Sequence, residues 1–159
     1  MDILRVKGRT GEVLRFGLGA RSWLYAQMEG APEEFTWRPP EGGRSASDVV
    51  SHIAWVVSVV CTKIAEDYNI DTSGKDIGAT ANLVVALREE VETAYDILRK
   101  LCRDLRDEQL DETTKLPPPS QIKKGTVEQV LRIMTGYHTI HHAGQVALLI
   151  RRAKTAVLK

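Results

Sequence analysis

Between residues 83 and 105, apolar side chains recur at Leu83, Leu87, Val91, Ala94, Leu98, Leu101 and Leu105, in steps of four, four, three, four, three and four. That rhythm follows the 3.6-residue turn of an α-helix and lays one apolar stripe along about six turns. A strand cannot carry it, because successive strand side chains point to opposite faces. A stripe of this length is a bundle seam and has to be covered by other helices. The opposite side carries Arg88, Glu89, Glu92, Asp96, Arg99, Lys100 and Arg103 and reads as a solvated face. The helix is expected from about Thr80 to Leu105.

Three more segments share the helical period, and none alternates as a half-buried strand does. The first runs from about Thr10 to Met28 with Leu14, Leu18, Tyr25 and Met28 on its stripe. Gly17 and Gly19 weaken it by up to about 1 kcal/mol each, and Gly30 and Pro32 end it. Residues 30–44 read as an extended connection. Ser45-Ala46-Ser47-Asp48 is a capping box, opening a helix that carries Val49, Ile53, Val56, Val57, Val60 and Ile64 to about Asp67. Tyr68 to Gly78 reads as a polar loop. After the seam helix comes a long connection, Arg106 to Gly125, with Pro117, Pro118 and Pro119 in a row. A connection of that length is functional or crosses over an end of the bundle. Thr126 and Gln129 form a second capping box, opening a helix from about Val127 to Lys154. Its expected stripe is Val127, Leu131, Met134, His138, His142, Gln145 and Leu149. The fold class is therefore all-α, built on four long helices. The 159 residues form a single domain, enough to bury a core without staples.

Composition removes several classes of function. Lys and Arg number 22 against 21 Asp and Glu. So even a balance supports neither a nucleic-acid nor an anionic-membrane partner. Apolar runs reach five residues, as at Ile53–Val57 and Val146–Ile150, against about 20 needed to span a bilayer. The stretch Met1–Ala20 carries six charges and no apolar core of a signal peptide. Two cysteines, Cys61 and Cys102, make no disulfide framework. They read as buried free thiols, and the expected location is the cytoplasm.

All four histidines lie in the second and fourth helices: His52, then His138, His141 and His142. His138 and His142 are about 40° apart on adjacent turns and fall on the expected core stripe. His52 continues the edge of the Val49, Ile53, Val56 face. An i, i+4 pair plus a distant third imidazole is how helices build a metal site, and three protein ligands leave an open position, as catalytic sites do; the alternative reading is of hydrogen-bonded core histidines. The pairing of His138 with His141 at i, i+3 is also allowed, and helix phase does not choose between His141 and His142. No serine-histidine-aspartate order, phosphate loop or carboxylate pair stands out, and no catalytic base is identified. Gly136 and Gly144 inside the last helix are costly unless they permit close backbone approach. Trp23, Trp37 and Trp55 read as core or loop-anchoring residues. Asp48 reads as a cap.

His138-Thr-Ile-His-His142-Ala-Gly-Gln145 resembles the H-x-x-x-H-x-G-Q motif of the DinB-like superfamily of metal-binding four-helix bundles. Phe35–Pro40 and Gly43–His52 resemble that family's tryptophan-proline loop and the start of its second helix, and residues 106–117 resemble the segment after its third. The resemblance spans about residues 10–153. It implies an up-down-down-up bundle with a long crossover and the ligand set His52, His138 and His142, with His141 off the metal. The family's ion is divalent, most often zinc or nickel. Relatives include bacillithiol S-transferases and mycothiol-dependent maleylpyruvate isomerase. The resemblance thus implies a metal-dependent enzyme, a thiol-dependent transferase or a hydrolase, acting on a small molecule with a low-molecular-weight thiol as cosubstrate. The candidate assembly is a homodimer. The rival expectation is a non-catalytic metal-binding or oligomerisation module. The substrate is expected near the bundle end bearing His52, walled by the loops around Trp37 and Pro117–Pro119.

Overall fold

The stripe of the seam helix is buried from Leu87 to Leu105 and half-buried at Leu83, and the elements that cover it define the architecture. The computed structural model describes residues 6–74, 78, 80–114, 116 and 125–158. In chain order these form α1 (Gly8–Gln27), a short α2 (Pro32–Thr36), α3 (Ala46–Asp67), α4 (Leu83–Asp104), a 3-10 turn (Asp107–Asp111), α5 (Val127–Arg132), a π turn (Ile133–Tyr137) and α6 (His138–Val157). The described residues contain no strand, only one isolated bridge between Thr113 and Thr126.

Side-chain contacts fix the direction of each helix. Near their starts, Ser51 on α3 donates to Glu90 on α4 at 2.9 Å. Just past their ends, Tyr68 donates to Glu112 at 2.6 Å. These two helices are therefore parallel. The end of α1 meets the start of α4 through Tyr25 Oη and Glu92 at 2.8 Å. The start of α1 meets the far end of α4 through Asp107, which accepts from the Thr10 backbone amide at 3.1 Å. So α1 is antiparallel to α4. It is parallel to α5–α6, since Glu12 pairs with Arg132 and the Glu29 carbonyl accepts from Lys154. The order is up, down, down, up. Both α1 and α3 pack on α4 and α6, which leaves α1–α3 and α4–α6 as the diagonals of the bundle.

Parallel neighbours need a chain that travels the length of the bundle, so the end of α3 at Asp67 and the start of α4 at Leu83 lie at opposite ends of it. The sequence showed only a polar loop between them. That loop is held to α4 by Lys100 Nζ, which donates to the Ser73 carbonyl at 2.6 Å. The connection after α4 instead leaves and re-enters at one end: Val127 N donates to Glu112 O at 2.8 Å and Thr114 N to Gly125 O at 3.0 Å. It carries the chain across the α4–α5 diagonal. Pro117–Pro119 lie outside the described residues. Residues 30–44 are not simply extended, because Pro32 at the first turn starts α2, which buries Phe35 and packs on α6. Nor is the charged side of α4 merely solvated, since Glu92 gathers Arg21 and Tyr25 of α1.

Both capping boxes form. Ser45 Oγ accepts from the Asp48 amide at 3.1 Å, and Asp48 accepts from the Ser45 amide at 3.0 Å. Thr126 and Gln129 make the same exchange at 3.2 and 3.0 Å. Cys61 and Cys102 are buried free thiols, and burial pushes both pKa values up, that of Cys102 to about 12. Among the described helices, α3 is long and apolar enough to cross a membrane. Its most apolar window has mean hydropathy 1.5 but is 56% buried in the bundle, as a core helix is.

Candidate metal centre

The last long helix does not run at one pitch. Its buried face is Leu131, Thr135, Thr139 and Ala143, each with 0% exposure, continuing to Val146 and Ile150. Three consecutive steps of four cover 12 residues, where three α turns hold about 10.8. The surplus of about one residue is taken up by the π turn, in which the His138 amide donates to the Ile133 carbonyl. This overturns the stripe expected from sequence. Beyond the π turn the core face is shifted by one residue, so Gln145 is exposed, Leu149 is half-buried, and His138 and His142 stand at the edge facing α3.

His52 meets them there from α3, two turns inside the Ser45 cap. One nitrogen from each of His52, His138 and His142 lies within 4.8 Å of the others. The ring centroids are 5.2 Å apart for His52–His138, 5.0 Å for His52–His142 and 4.3 Å for His138–His142. His141 is exposed and outside this group, 5.2 Å from the His142 ring. Of the two residues that helix phase left open, His142 faces His52 and His138 and His141 does not.

Among the described residues no carboxylate shares the cluster, and the net effect on each of its imidazoles disfavours the charged form. Burial, then His142, His52 and His141, push the His138 pKa down to about 4. Burial lowers that of His52, with Arg44 and His142 adding to it. Burial also lowers that of His142, opposed by its bond to Gln145 and reinforced by His141 and Arg44. All three shifts favour the neutral imidazole, the form that ligates metals. His142 Nδ1 donates to Gln145 Oε1 at 2.6 Å, which leaves Nε2 with a free lone pair. His138 Nδ1 is buried with no hydrogen-bond partner among the described residues, and a buried nitrogen left so calls for one. A divalent ion that prefers nitrogen ligands fits this donor set.

Asp48 is the expected cap and also pairs with Arg38 at 2.7 Å. Other neighbours differ from expectation. Trp23 and Trp55 are neither core nor anchors, being 54% and 59% exposed. Trp55 lies over His52, centroids 6.3 Å apart and planes at 28°. Trp37 is half-buried beneath Arg152 at 5.4 Å, about 15 Å along α6 from His142 at 1.5 Å per residue. It walls the α6 end rather than the histidines. The described anchors of the proline connection, Thr114 and Gly125, are at the opposite end of α3 from His52. Gly136 does permit close approach, since a Cβ there would be 2.1 Å from the Phe16 ring, but nothing lies within 4 Å of one at Gly144. Two cavities, one of about 610 Å³ between the start of α1 and the end of α4 (Val6, Thr10, Cys102, Asp107) and one of about 700 Å³ between Ser73–Gly74 and α4 (Glu92, Asp96, Lys100), have no histidine in their lining.

The model of the DinB superfamily matches residues 21–146, which include all three clustered histidines. The chain belongs to the DinB superfamily. It is similar to a crystal structure of a DinB-like protein, YjoA, from Bacillus subtilis, with a TM-score of 0.63 and 23% identity. That likeness covers 89% of this chain and 91% of the other. Among curated proteins, none matches.

Proposed function

We propose that this DinB-superfamily chain holds one divalent ion, zinc or nickel, on His52, His138 and His142, and uses it to activate a low-molecular-weight thiol against a small-molecule electrophile. The observation that carries this reading is the convergence of three imidazoles, one nitrogen of each within 4.8 Å of the others, with His138 Nδ1 unpartnered among the described residues. An ion held there would supply a Lewis acid that acidifies a thiol or a water at its open position. Three uncharged ligands leave the ion's charge undiminished. Gln145 fixes the tautomer of His142, and Arg44, exposed at the entry to α3, adds a positive charge felt by both His52 and His142. Such a site favours an anionic partner, as a thiolate is. Trp55 beside His52 offers an apolar platform for the electrophile. Hydrolysis is the same site with water in place of the thiol. Two unpaired core thiols suit a reducing cytoplasm.

The test is elemental analysis of the purified protein, then a thiol-transfer assay with and without chelator. In the cobalt-loaded protein, added thiol should give a near-ultraviolet sulfur-to-metal band. The absence of that band with every cellular thiol tried removes the thiol reading. A second reading, a metal-binding module without catalysis, is favoured by one observation: the histidines line neither of the two cavities described above. An ion retained in a protein that gives no chelator-sensitive turnover supports it.

We also propose a homodimer formed by the outer face of α1 and α6. Trp23, Tyr137, Ile140 and Leu148 are exposed there, and the helix-interior glycines Gly19 and Gly144 meet nothing within 4 Å. Glu12 and Arg151, both exposed, stand at opposite ends of this face, so an antiparallel copy would bring them together. Sedimentation should show a dimer that Gly144→Glu dissociates; a monomer at all concentrations overturns it.

A further inference from the structure

Beneath the histidines, Tyr95 of α4 reaches across the core diagonal to the last helix. Its side chain has 0% exposure. Its hydroxyl donates to the Thr135 carbonyl at 2.6 Å, inside the π turn, and contacts Thr139 Oγ1 at 2.8 Å. A phenol has one proton, so Thr139 is the donor in the second contact. The two bonds hold the turn that inserts the extra residue to the first turn after it. Thr139 is the neighbour of His138, and Thr135 precedes it by three.

The π turn has two further supports. Gly17 brings α1 close to it: a Cβ at that position would lie 3.2 Å from Thr135 Oγ1 and 2.7 Å from Leu98. Gly136, within the turn, accepts the Phe16 ring against its backbone. These are packing contacts; the hydroxyl bonds add fixed partners. If the turn reverts to α, everything beyond it rotates by about 100° relative to α5, and Thr135 O and Thr139 Oγ1 leave Tyr95. The same rotation carries His138 and His142 away from His52.

We infer that Tyr95, with Thr139, is a positioning residue that locks the π turn and thereby sets the phase at which His138 and His142 face His52. It touches neither the proposed ion nor a substrate. The inference rests on the ligand set proposed above. A hydroxyl pair with no surface exposure serves no ligand directly. Its evident effect is on the pitch of the helix that carries two of the three imidazoles.

The experiment compares the parent with Tyr95→Phe, Thr139→Val and Thr139→Ser. The readouts are zinc affinity by chelator competition, the cobalt absorption spectrum, and amide exchange at residues 135–140 in the metal-free protein. Tyr95→Phe and Thr139→Val should keep their helical circular dichroism, bind zinc on the order of tenfold more weakly, alter the cobalt bands and exchange faster at His138. Thr139→Ser, which keeps the hydroxyl, should stay close to the parent. A merely structural role would lower the melting point of each variant without separating Val from Ser in the cobalt spectrum. Unchanged affinity and exchange in both hydroxyl-deleted variants overturn the positioning role while leaving the ligand set standing. A parent that holds no zinc defeats the ligand set and the positioning role together. If Tyr95→Phe fails to fold, the Thr139 pair decides: a loosened Val and an intact Ser support the role, and equal affinities overturn it.

Discussion

Replacing Gly136 with alanine tests whether the π turn is shaped by the close approach of α1. The new Cβ would sit 2.1, 2.6 and 2.9 Å from three atoms of the Phe16 ring. Carbon atoms in contact settle at about 3.5–4 Å, so the ring must retreat by more than about 1 Å. It is not free to do so without loss, since it packs edge-on to Tyr137 at 5.0 Å and lies under Arg132. Overpacking of this kind costs about 1–3 kcal/mol. Against it stands a gain of up to about 1 kcal/mol from replacing a helical glycine. The net expectation is a loss of about 1–2 kcal/mol, or a few degrees in melting temperature for a chain of this size. Urea unfolding of the metal-free protein reads it directly as a lower midpoint at constant slope. The decisive comparison is the same substitution in a Phe16→Ala background, where the obstacle is gone and alanine should become neutral or stabilising. Equal destabilisation in both backgrounds would refute the steric account.

Four further outcomes follow from the site. The folded-state pKa of His138 is depressed to about 4, below the unfolded value near 6.5, and those of His52 and His142 are depressed too. Between those limits the unfolded chain binds more protons, so the metal-free protein should lose stability as pH falls from about 6.5 towards 4; a pH series of urea midpoints checks this. Zinc affinity should fall over the same interval as protons compete for the imidazoles, and isothermal titration reads it. His142→Ala should abolish tight zinc binding while His141→Ala keeps it, because only His142 faces His52 and His138. Chelation should leave circular dichroism helical and lower the melting temperature, because the aliphatic core is complete without an ion.

The sequence carried the bundle and much of the cluster, and lost the rest where long-range packing overrides local pattern. The seam from Leu87 to Leu105 is periodic because one face is buried, so it was legible by counting. The two capping boxes were legible because each is a local exchange within four residues. The pairing of His138 with His142 rather than His141 was not settled by phase, because the extra residue of the π turn is invisible to a 3.6-residue count. The signal was present in one form: Leu131, Thr135, Thr139 and Ala143 step by four three times, more than an α-helix accommodates. Reading that required knowing that two threonines are buried, and their partner, Tyr95, lies 40 residues earlier in the chain. Gln145 was misplaced on the core stripe for the same reason, which hid its bond to His142. Trp55 reads as a core or loop-anchoring residue because large aromatic side chains usually serve so; its exposure beside His52 depends on how α3 meets α6. The connection from α3 to α4 looked like an ordinary loop, because direction is a property of helix pairs and leaves no mark on composition.

The central claim is that three imidazoles hold one ion. The measurement that addresses it most directly is zinc-edge X-ray absorption on protein loaded with one equivalent of zinc at pH 7.5, with no thiol present. The account predicts one retained ion with three imidazole nitrogens at about 2.0–2.1 Å, a light atom completing the shell and no sulfur near 2.3 Å. It further predicts that His52→Ala, His138→Ala and His142→Ala each lose the ion. A sulfur shell, or zinc lost on gel filtration of the parent, would contradict it.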